Sequence, residues 1–272
     1  MKLAFIATLP CLLLSLAIAR ADDWKLVWSD EFNTNGAPNP ANWNYEQGFV
    51  RNRELQWYQP ENAYCTNGLL IIEGRSEHKP NPNFVTNSES WRTSREFIDY
   101  TSASLTSRRL REFTYGRFEM RARIDTRSGS WPAFWTLGAA SGIRWPACGE
   151  IDIMEFYTNT VLANFGYSLD RRTKWLANRT PLAELGGDAW SREFHIWTME
   201  WDDKKITLLL DGKVMNHLDL SDADNADRGN PFRRPEYIIL NQAIGANGGD
   251  PSQTTFPVRF EVDWVRVYQH GQ

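Results

Sequence analysis

Alternation of apolar and polar residues is the feature that most limits the fold of this chain. Along residues 116–124 every second side chain is apolar and the residues between them are charged. This period of two is typical of a β-strand with one buried face. Residues 197–201 and 206–210 flank a short polar turn, as the two strands of a hairpin do, and Asp211-Gly212 predicts a second tight turn.

Further strand-like runs extend along the chain, whereas helical periodicity is limited to one turn at residues 181–185. These runs occupy residues 69–73, 237–240 and 258–268. Many strands with short connections predict an all-β fold, namely a sandwich or jelly roll of two antiparallel sheets.

Composition narrows the class of protein further. The chain has 272 residues with a net charge of -4, and its 13 Trp, 9 Tyr and 14 Phe make it unusually aromatic. With a pI of about 5.7 it has no basic character, so nucleic acid is not an expected partner. Some of the Trp rings must be partly exposed, and exposed Trp rings suit the flat faces of sugars. No repeat or linker divides residues 22–272, which we interpret as one domain.

Residues 1–21 have the pattern of a secretory signal peptide. Lys2 precedes an apolar run, and Ala19-Arg20-Ala21 is a small-x-small cleavage site. We therefore expect a secreted, extracellular or periplasmic protein with no membrane anchor after cleavage, and we expect it to be a monomer. Cys65 and Cys148 then remain, and two buried thiols are favoured over one bridge.

The chemistry concentrates in an acidic stretch at residues 148–156. In a regular strand Glu150 and Asp152 share a face, but Glu155 would enter the core, where an ionised carboxylate is costly. A β-bulge near Ile153-Met154 would return Glu155 to the acidic face.

Three neighbouring carboxylates repel one another, so at least one pKa rises and one group holds a proton near neutral pH. Glycoside hydrolysis needs this pairing of a carboxylic acid with a carboxylate. A solvated acidic edge strand and a calcium site are alternative interpretations of the stretch. No HExxH or paired CxxC motif is present, so catalytic zinc is not expected.

Tryptophans lie just before the acidic stretch. Trp131 and Trp135 share a face if residues 131–135 form a strand, and Trp145 follows. They could form a stacking platform for sugar rings or simply fill the core of the sandwich.

With these motifs together, the chain resembles glycoside hydrolase family 16, specifically its laminarinase-like branch. The six residues 150–155 are similar to the catalytic signature of that family in its bulged form. The resemblance spans nearly all of residues 22–272. Its other motifs are residues 30–32, 52–58, 60–64, 100–103, 113–119, 145–149, 240–241, 243–245 and 262–268.

The resemblance implies a concanavalin-like β-jelly roll with a concave substrate cleft. It implies that Glu150 is the nucleophile, Asp152 the assisting carboxylate and Glu155 the general acid/base. It also implies substrate contacts along the cleft. These contacts are Trp131, Trp135 and Trp145 as sugar platforms, and Asn52 and Arg75 as polar ligands on the glycone side.

The resemblance implies no cofactor for catalysis, but it does imply a structural calcium ion. The backbone carbonyls of Glu31 and Gly68 and the carboxylate of Asp263 would bind that ion. An ordinary strand-end role for Asp263 is the alternative.

Three features depart from the family pattern. Asn164 stands where many members have a histidine-containing segment, and it cannot titrate. Gln242 replaces a commoner apolar residue; it either points into the cleft beside Asn164 or satisfies backbone groups. Residues 170–190 form an insertion that we interpret as a rim loop.

The resemblance implies an endo-acting, retaining hydrolase of β-1,3- or mixed β-1,3/1,4-glucan. The same chemistry on a galactan such as agarose or carrageenan, or glucan transfer to an acceptor sugar, is the nearest alternative. A non-catalytic glucan-binding protein is the alternative from another class.

Overall fold

The computed structural model of the chain describes residues 23–226 and 229–271. The predicted signal peptide, residues 1–21, lies outside the described residues. Within the described part of the chain, no helix is both long and apolar enough to cross a membrane.

Two β-sheets make up the described part of the molecule. We call the first the outer sheet; its strands are β1 (Trp24–Asp30), β3 (Gln56–Tyr58), β4 (Ala63–Thr66), β5 (Leu69–Pro80), β6 (Phe97–Ser102), β9 (Gly116–Ile124), β14 (His195–Trp201), β15 (Lys205–Leu210), β16 (Lys213–Asp219) and β18 (Val258–His270). We call the second the cleft sheet; its strands are β2 (Asn44–Tyr45), β7 (Ser104–Thr106), β8 (Glu112–Phe113), β10 (Ser130–Gly138), β11 (Glu150–Tyr157), β12 (Thr160–Leu169), β13 (Arg172–Pro181) and β17 (Glu236–Ile244).

The order of strands places sequence-distant segments side by side. The cleft sheet runs β13-β12-β11-β10-β17-β7-β2, and the outer sheet runs β16-β15-β14-β9-β18-β5-β6-β3. The recorded pairings are antiparallel except that of β3 with β6. The predicted fold of two antiparallel sheets is therefore confirmed.

The core fills the space between the two sheets. On β9 the burial alternates strictly, and the apolar residues of the predicted strand are buried: Phe118, Met120, Ala122 and Ile124. They join apolar side chains of the cleft sheet, such as Phe134, Ile151 and Phe165, in one cluster. Each sheet thus buries one face, so the other face of the cleft sheet is left available for a site.

Within residues 23–226 and 229–271, helical structure is confined to short segments. They are α1 (Leu182–Leu185), α2 (Asp188–Ser191) and the 3-10 turns Pro60–Asn62, Leu220–Ala223, Pro231–Arg233 and Ala246–Gly248. The turn predicted at residues 181–185 is confirmed by α1. The interpretation of residues 170–190 as a rim loop was wrong, because most of its first half is β13, the edge strand of the cleft sheet. Cys65 and Cys148 are buried free thiols, as predicted.

Candidate active site

A bulge brings the three carboxylates of β11 onto one face of the cleft sheet. Asp152 pairs with Asn164 and Glu155 with Leu162, so β11 has an extra residue in the register between them. Ile153 and Met154, the residues at the bulge, both pack into the core. The predicted bulge is confirmed, and Glu150, Asp152 and Glu155 together line a cleft of about 720 Å³.

Asp152 is the most buried of the three carboxyl groups, at 2% exposure. Burial raises its pKa well above the ordinary value, and the charges of Glu155 and Glu150 raise it further. The Asn164 amide donates to Asp152 Oδ2 at 3.3 Å. Asp152 also hydrogen-bonds to Glu150 and Glu155. The raised pKa favours the protonated form of Asp152, which can donate a hydrogen bond to either glutamate.

Glu155 lies at the far end of the row, between two neutral donors. Trp131 Nε1 donates to Glu155 Oε1 at 2.9 Å, and Asn164 Nδ2 donates to Oε2 at 3.1 Å. Burial raises the pKa of Glu155, and the two donors oppose that rise. The Trp131 ring is 6% exposed and contacts Tyr157 edge to face at 5.3 Å. It therefore positions Glu155 as well as lining the cleft.

Glu150 begins β11, and burial followed by the charge of Glu155 raises its pKa to about 7. The Trp145 side chain donates a hydrogen bond to Glu150 and limits that rise. The three carboxyl groups lie close enough to raise one another's pKa, so the charge of each depends on the protonation of the others. Such a cluster offers a carboxylic acid and a carboxylate on the same face of a cleft.

Trp135 is held by a chain of hydrogen bonds that continues away from the carboxylates. Its Nε1 donates to Asn241 Oδ1 at 2.7 Å, and Asn241 Nδ2 donates to the Tyr58 hydroxyl at 3.1 Å. That hydroxyl donates to Glu54 Oε2 at 3.3 Å. The guanidinium of Arg51 lies 5.1 Å from the centre of the Trp135 ring. This end of the cleft is thus built from buried, connected polar groups.

Asn52 reaches the cleft from a loop in a left-handed backbone conformation. Asn52 and Arg53 both have φ of 54°, which asparagine tolerates better than arginine does. Arg95 stabilises the turn, because its guanidinium donates to the carbonyls of Glu54 at 2.8 Å and Arg53 at 3.2 Å. The Asn52 amide in turn donates to Glu54 Oε1 at 3.2 Å.

The cleft brings together eight of the ten predicted catalytic and substrate-binding residues. They are Asn52, Trp131, Trp135, Trp145, Glu150, Asp152, Glu155 and Asn164. The alternative that Trp131 and Trp135 only fill the core was wrong, since both line the cleft although their rings are largely covered.

The structure places the other two predicted residues, Arg75 and Gln242, outside the cleft. Arg75 lies on the outer sheet, where its Nε donates to Glu73 Oε2 at 2.6 Å, and it does not line the cleft. Gln242 is fully buried; its amide donates to Ser130 Oγ and to the Ala243 carbonyl, each at 3.0 Å. It satisfies internal acceptors because β17 alternates and places Asn241, not Gln242, in the cleft.

Asp263, the one predicted calcium ligand that would bind through its side chain, does not fit a cation in this arrangement. Its carboxylate forms an ion pair with Arg121. A guanidinium at the carboxylate opposes the binding of a divalent cation. The other two predicted ligands, Glu31 and Gly68, would add only their backbone carbonyls. Among the described residues, no group of three or more His, Cys, Asp or Glu could hold a metal.

Sequence reasoning missed several residues that line the cleft: Arg51, Glu54, Trp175, Ala177, Arg179 and Asn241. Residues 175, 177 and 179 alternate, so a strand pattern was visible, but their strand is exposed on both faces and lacks an apolar signal. Arg51 and Asn241 come from distant segments that only the fold joins.

The cleft of this two-sheet sandwich, with its aromatic rings and its row of three carboxyl groups, has the groups that a glycoside hydrolase needs. Residues 75–266 match the model of glycosyl hydrolases family 16. The chain belongs to this family and is a glycoside hydrolase, and such hydrolases need no cofactor for catalysis.

Known relatives agree with this membership. The beta-glucanase of Rhodothermus marinus is 35% identical over 92% of this chain and 87% of its own length. The chain spans only 38% and 37% of two longer relatives that it also matches.

Two solved structures are similar over most of the chain. The laminarinase catalytic domain from Thermotoga maritima MSB8 has a TM-score of 0.77 and 34% identity, with 92% of this chain and 100% of that one covered. A structure from work on endo-acting O-glycanases, which prominent members of the human gut microbiota express to initiate mucin breakdown, has a TM-score of 0.83. It is 35% identical, and 91% of each chain is covered.

Proposed function

We propose that this chain is an endo-acting, retaining β-glucanase that cleaves β-1,3- or mixed β-1,3/1,4-glucan. The observation that carries the proposal is the row of Glu150, Asp152 and Glu155 on one face of the cleft, with neutral donors on each side. The names of the similar beta-glucanase and laminarinase support the choice of glucan.

The roles of the two glutamates follow the motif of the family. Protonated Glu155 donates its proton to the glycosidic oxygen while a carboxylate oxygen of Glu150 attacks the anomeric carbon. The bond to the leaving sugar breaks, and a glycosyl ester of Glu150 forms. Glu155, now ionised, then takes a proton from water, and the resulting hydroxide attacks the anomeric carbon and releases Glu150.

The other cleft residues hold this pair in place. Asp152, whose protonated form is favoured by burial, hydrogen-bonds to the neighbouring glutamates and keeps them oriented. Asn164 bridges Asp152 and Glu155 with its amide group. We place Asn52 and Trp135 on the glycone side, where the network through Asn241 and Tyr58 fixes them.

Substrate assays of the wild type and Glu150→Ser test the proposal. We expect reducing sugar from laminarin and lichenan with wild-type protein, as oligosaccharides of several lengths, and no turnover by Glu150→Ser. Glu200→Ser is the matched control, because Glu200 lies on the outer sheet and pairs with Arg117 at 3.2 Å. Wild-type rates in folded Glu150→Ser would contradict the assignment of the nucleophile.

Mucin O-glycan is a second candidate substrate, favoured by the similarity to the structure from work on O-glycanases. The same assay therefore includes mucin. Release of reducing sugar from mucin, but not from laminarin or lichenan, would identify mucin O-glycan as the substrate in place of glucan. The proposed chemistry of the carboxyl groups would stay the same.

Secretion and a monomeric state are also part of the proposal. The composition of residues 1–21 supports secretion. N-terminal sequencing of exported protein should begin at Asp22, and light scattering should give the mass of one chain. Retention of residues 1–21, or a dimer mass, would contradict the respective part.

A further inference from the structure

We propose that Arg51 covers the ring of Trp135 and thereby removes one sugar-stacking position from the cleft. The guanidinium of Arg51 lies 5.1 Å from the centre of the Trp135 ring, and Trp135 is only 7% exposed. Arg51 would thus limit how many sugar units the cleft binds at this end, which makes it a specificity-determining residue. The inference rests on the proposed function and deepens it.

The Trp135 ring is also fixed from the side of the sheet. It packs with Ala133 and Ile239 in a small apolar cluster, and its Nε1 donates to Asn241 Oδ1 at 2.7 Å. These contacts hold the ring against the cleft sheet. The surface of the ring that meets Arg51 is therefore the one on which a sugar could otherwise stack.

Glu46 holds the guanidinium of Arg51 over the ring. Arg51 Nη2 donates to Glu46 Oε2, and the same oxygen accepts a hydrogen bond from Ser104 Oγ at 2.6 Å. The Arg51 and Glu46 side chains are 22% and 24% exposed. Because the pair is partly shielded from water and salt, it holds the arginine more firmly than a fully exposed pair would.

The backbone on both sides of Arg51 is held by a neighbouring loop. Arg92 Nε donates to the carbonyl of Phe49 at 2.9 Å, and Arg95 Nη1 donates to the carbonyl of Glu54 at 2.8 Å. Both arginines come from the loop between β5 and β6. Arg51 is therefore held at its backbone by this loop and at its guanidinium by the ion pair, so its position over the ring is well fixed.

Two other rings of the same cleft differ from Trp135 in exposure. Trp145 is 48% exposed and Trp175 is 50% exposed, and both line the cleft. A sugar can stack on such a ring without moving a side chain. At Trp135 it must first displace Arg51 and break the ion pair with Glu46, so stacking there gains little in the wild-type protein.

Laminari-oligosaccharides of increasing length measure this effect. Each added sugar that finds a binding position raises kcat/KM, so the ratio of kcat/KM between two successive lengths reports on that one position. The charge of Arg51 also lowers the pKa of Glu150, and its removal therefore changes the rate on every length. That common change cancels in the ratio.

We expect Arg51→Ala to expose the Trp135 ring and to raise the ratio at one length step by about twofold to tenfold over wild type, the range of one aromatic contact. Arg51→Lys keeps the positive charge beside Glu46 and should keep the wild-type ratios. Arg53→Ala is the matched control, because Arg53 lies on the same loop, is exposed and does not line the cleft.

Glu46→Gln provides a second test that leaves Arg51 in the chain. It keeps the shape of the side chain but removes the charge that holds the guanidinium. We expect a smaller rise in the ratio at the same length step. This variant also tests the inference if Arg51→Ala does not fold.

The outcomes distinguish this inference from the proposed function. Unchanged ratios in both Arg51→Ala and Glu46→Gln would overturn the cover over Trp135. A fall in the ratio in Arg51→Ala would overturn it too, because it would show that Arg51 itself binds the sugar. So would an equal rise in Arg53→Ala, which would indicate a loosened loop. Failure of the wild type to cleave any laminari-oligosaccharide or mixed-linkage glucan would instead overturn the proposed function.

Discussion

Both sheets carry glutamate and aspartate side chains, but the carboxylates of the two sheets lie in opposite electrostatic surroundings. On the outer sheet, Glu73 pairs with Arg75 and Arg259 at 2.6 and 3.0 Å, and Arg123 pairs with Glu261. On the cleft sheet, Glu155 accepts hydrogen bonds from the neutral side chains of Trp131 and Asn164.

The pKa values follow this difference. The guanidinium groups hold the pKa of Glu73 and Glu31 below the ordinary value, although burial acts against them. In the cleft sheet burial dominates and raises the pKa of Glu150, Asp152 and Glu155. A carboxyl group becomes a proton donor near neutral pH when its fold buries it and withholds a cationic partner.

Among the variants that test this difference between the sheets, the largest effect is expected from Glu155→Gln, because it removes the proton donor and leaves the shape of the site. Turnover of laminarin should fall by about a hundredfold to ten-thousandfold. Formation of the glycosyl enzyme from a dinitrophenyl glycoside should fall far less, since that leaving group needs no proton. The matched control is Glu119→Gln on β9, next to Arg117 at 2.7 Å, with expected wild-type rates. Equal losses on both substrates would contradict the acid role.

Glu236 extends the contrast to stability. It is fully buried, its carboxyl bonds to the Thr136 hydroxyl, and burial raises its pKa to about 8. Because the folded pKa exceeds the unfolded one, the stability linked to its neutral form is full below about pH 4.5 and is lost as pH rises through about 8.

Glu236→Gln should therefore unfold with nearly wild-type free energy at pH 5 and be more stable at pH 9 by on the order of 2–5 kcal/mol. Urea unfolding at both pH values measures this, with each protein serving as its own reference. A variant that loses stability equally at both values would show that the carboxyl is ionised in the fold.

Glu73→Gln should show the opposite sign on the outer sheet. Its lowered pKa stabilises the folded state above the unfolded pKa, and that contribution disappears as pH falls through the folded pKa. We expect a loss of about 1 kcal/mol at pH 7 that shrinks toward pH 3 and in high salt. Urea unfolding at 0.05 and 1 M NaCl measures this loss of stability. A loss that is independent of pH and salt would indicate an effect on packing instead of charge.

The smallest effect is expected from metal removal. Since Arg121 already neutralises Asp263, the one predicted side-chain ligand, EDTA should leave the melting temperature unchanged, and added calcium should not raise it. Arg121→Ala removes the competing cation and should make the melting temperature respond to calcium. A lower melting temperature of the wild-type protein in EDTA would contradict this expectation and support the calcium site that the resemblance implies.

Local patterns predicted much of this molecule. The alternation in residues 116–124 identified β9, and the misplaced phase of Glu155 was enough to predict the bulge. Both depend on side-chain period and on the cost of a buried charge, which a short stretch of sequence already contains.

Residues whose role depends on distant partners were placed less well. Arg75 was assigned to the cleft but pairs with Glu73, while Arg51 over Trp135 was missed. The edge strand β13 was interpreted as a loop because neither of its faces is buried, so its pattern has no hydrophobic signal.

The sequence alone therefore determined the two-sheet class, the acidic row and its phase, since these follow from the period of the strand and the burial of its apolar face. Only the tertiary structure decided which carboxylates meet an arginine and which stay unpaired. It also decided that β13 completes the cleft. Register between strands far apart in the chain sets those contacts, and nothing in one strand specifies the charge of its neighbour.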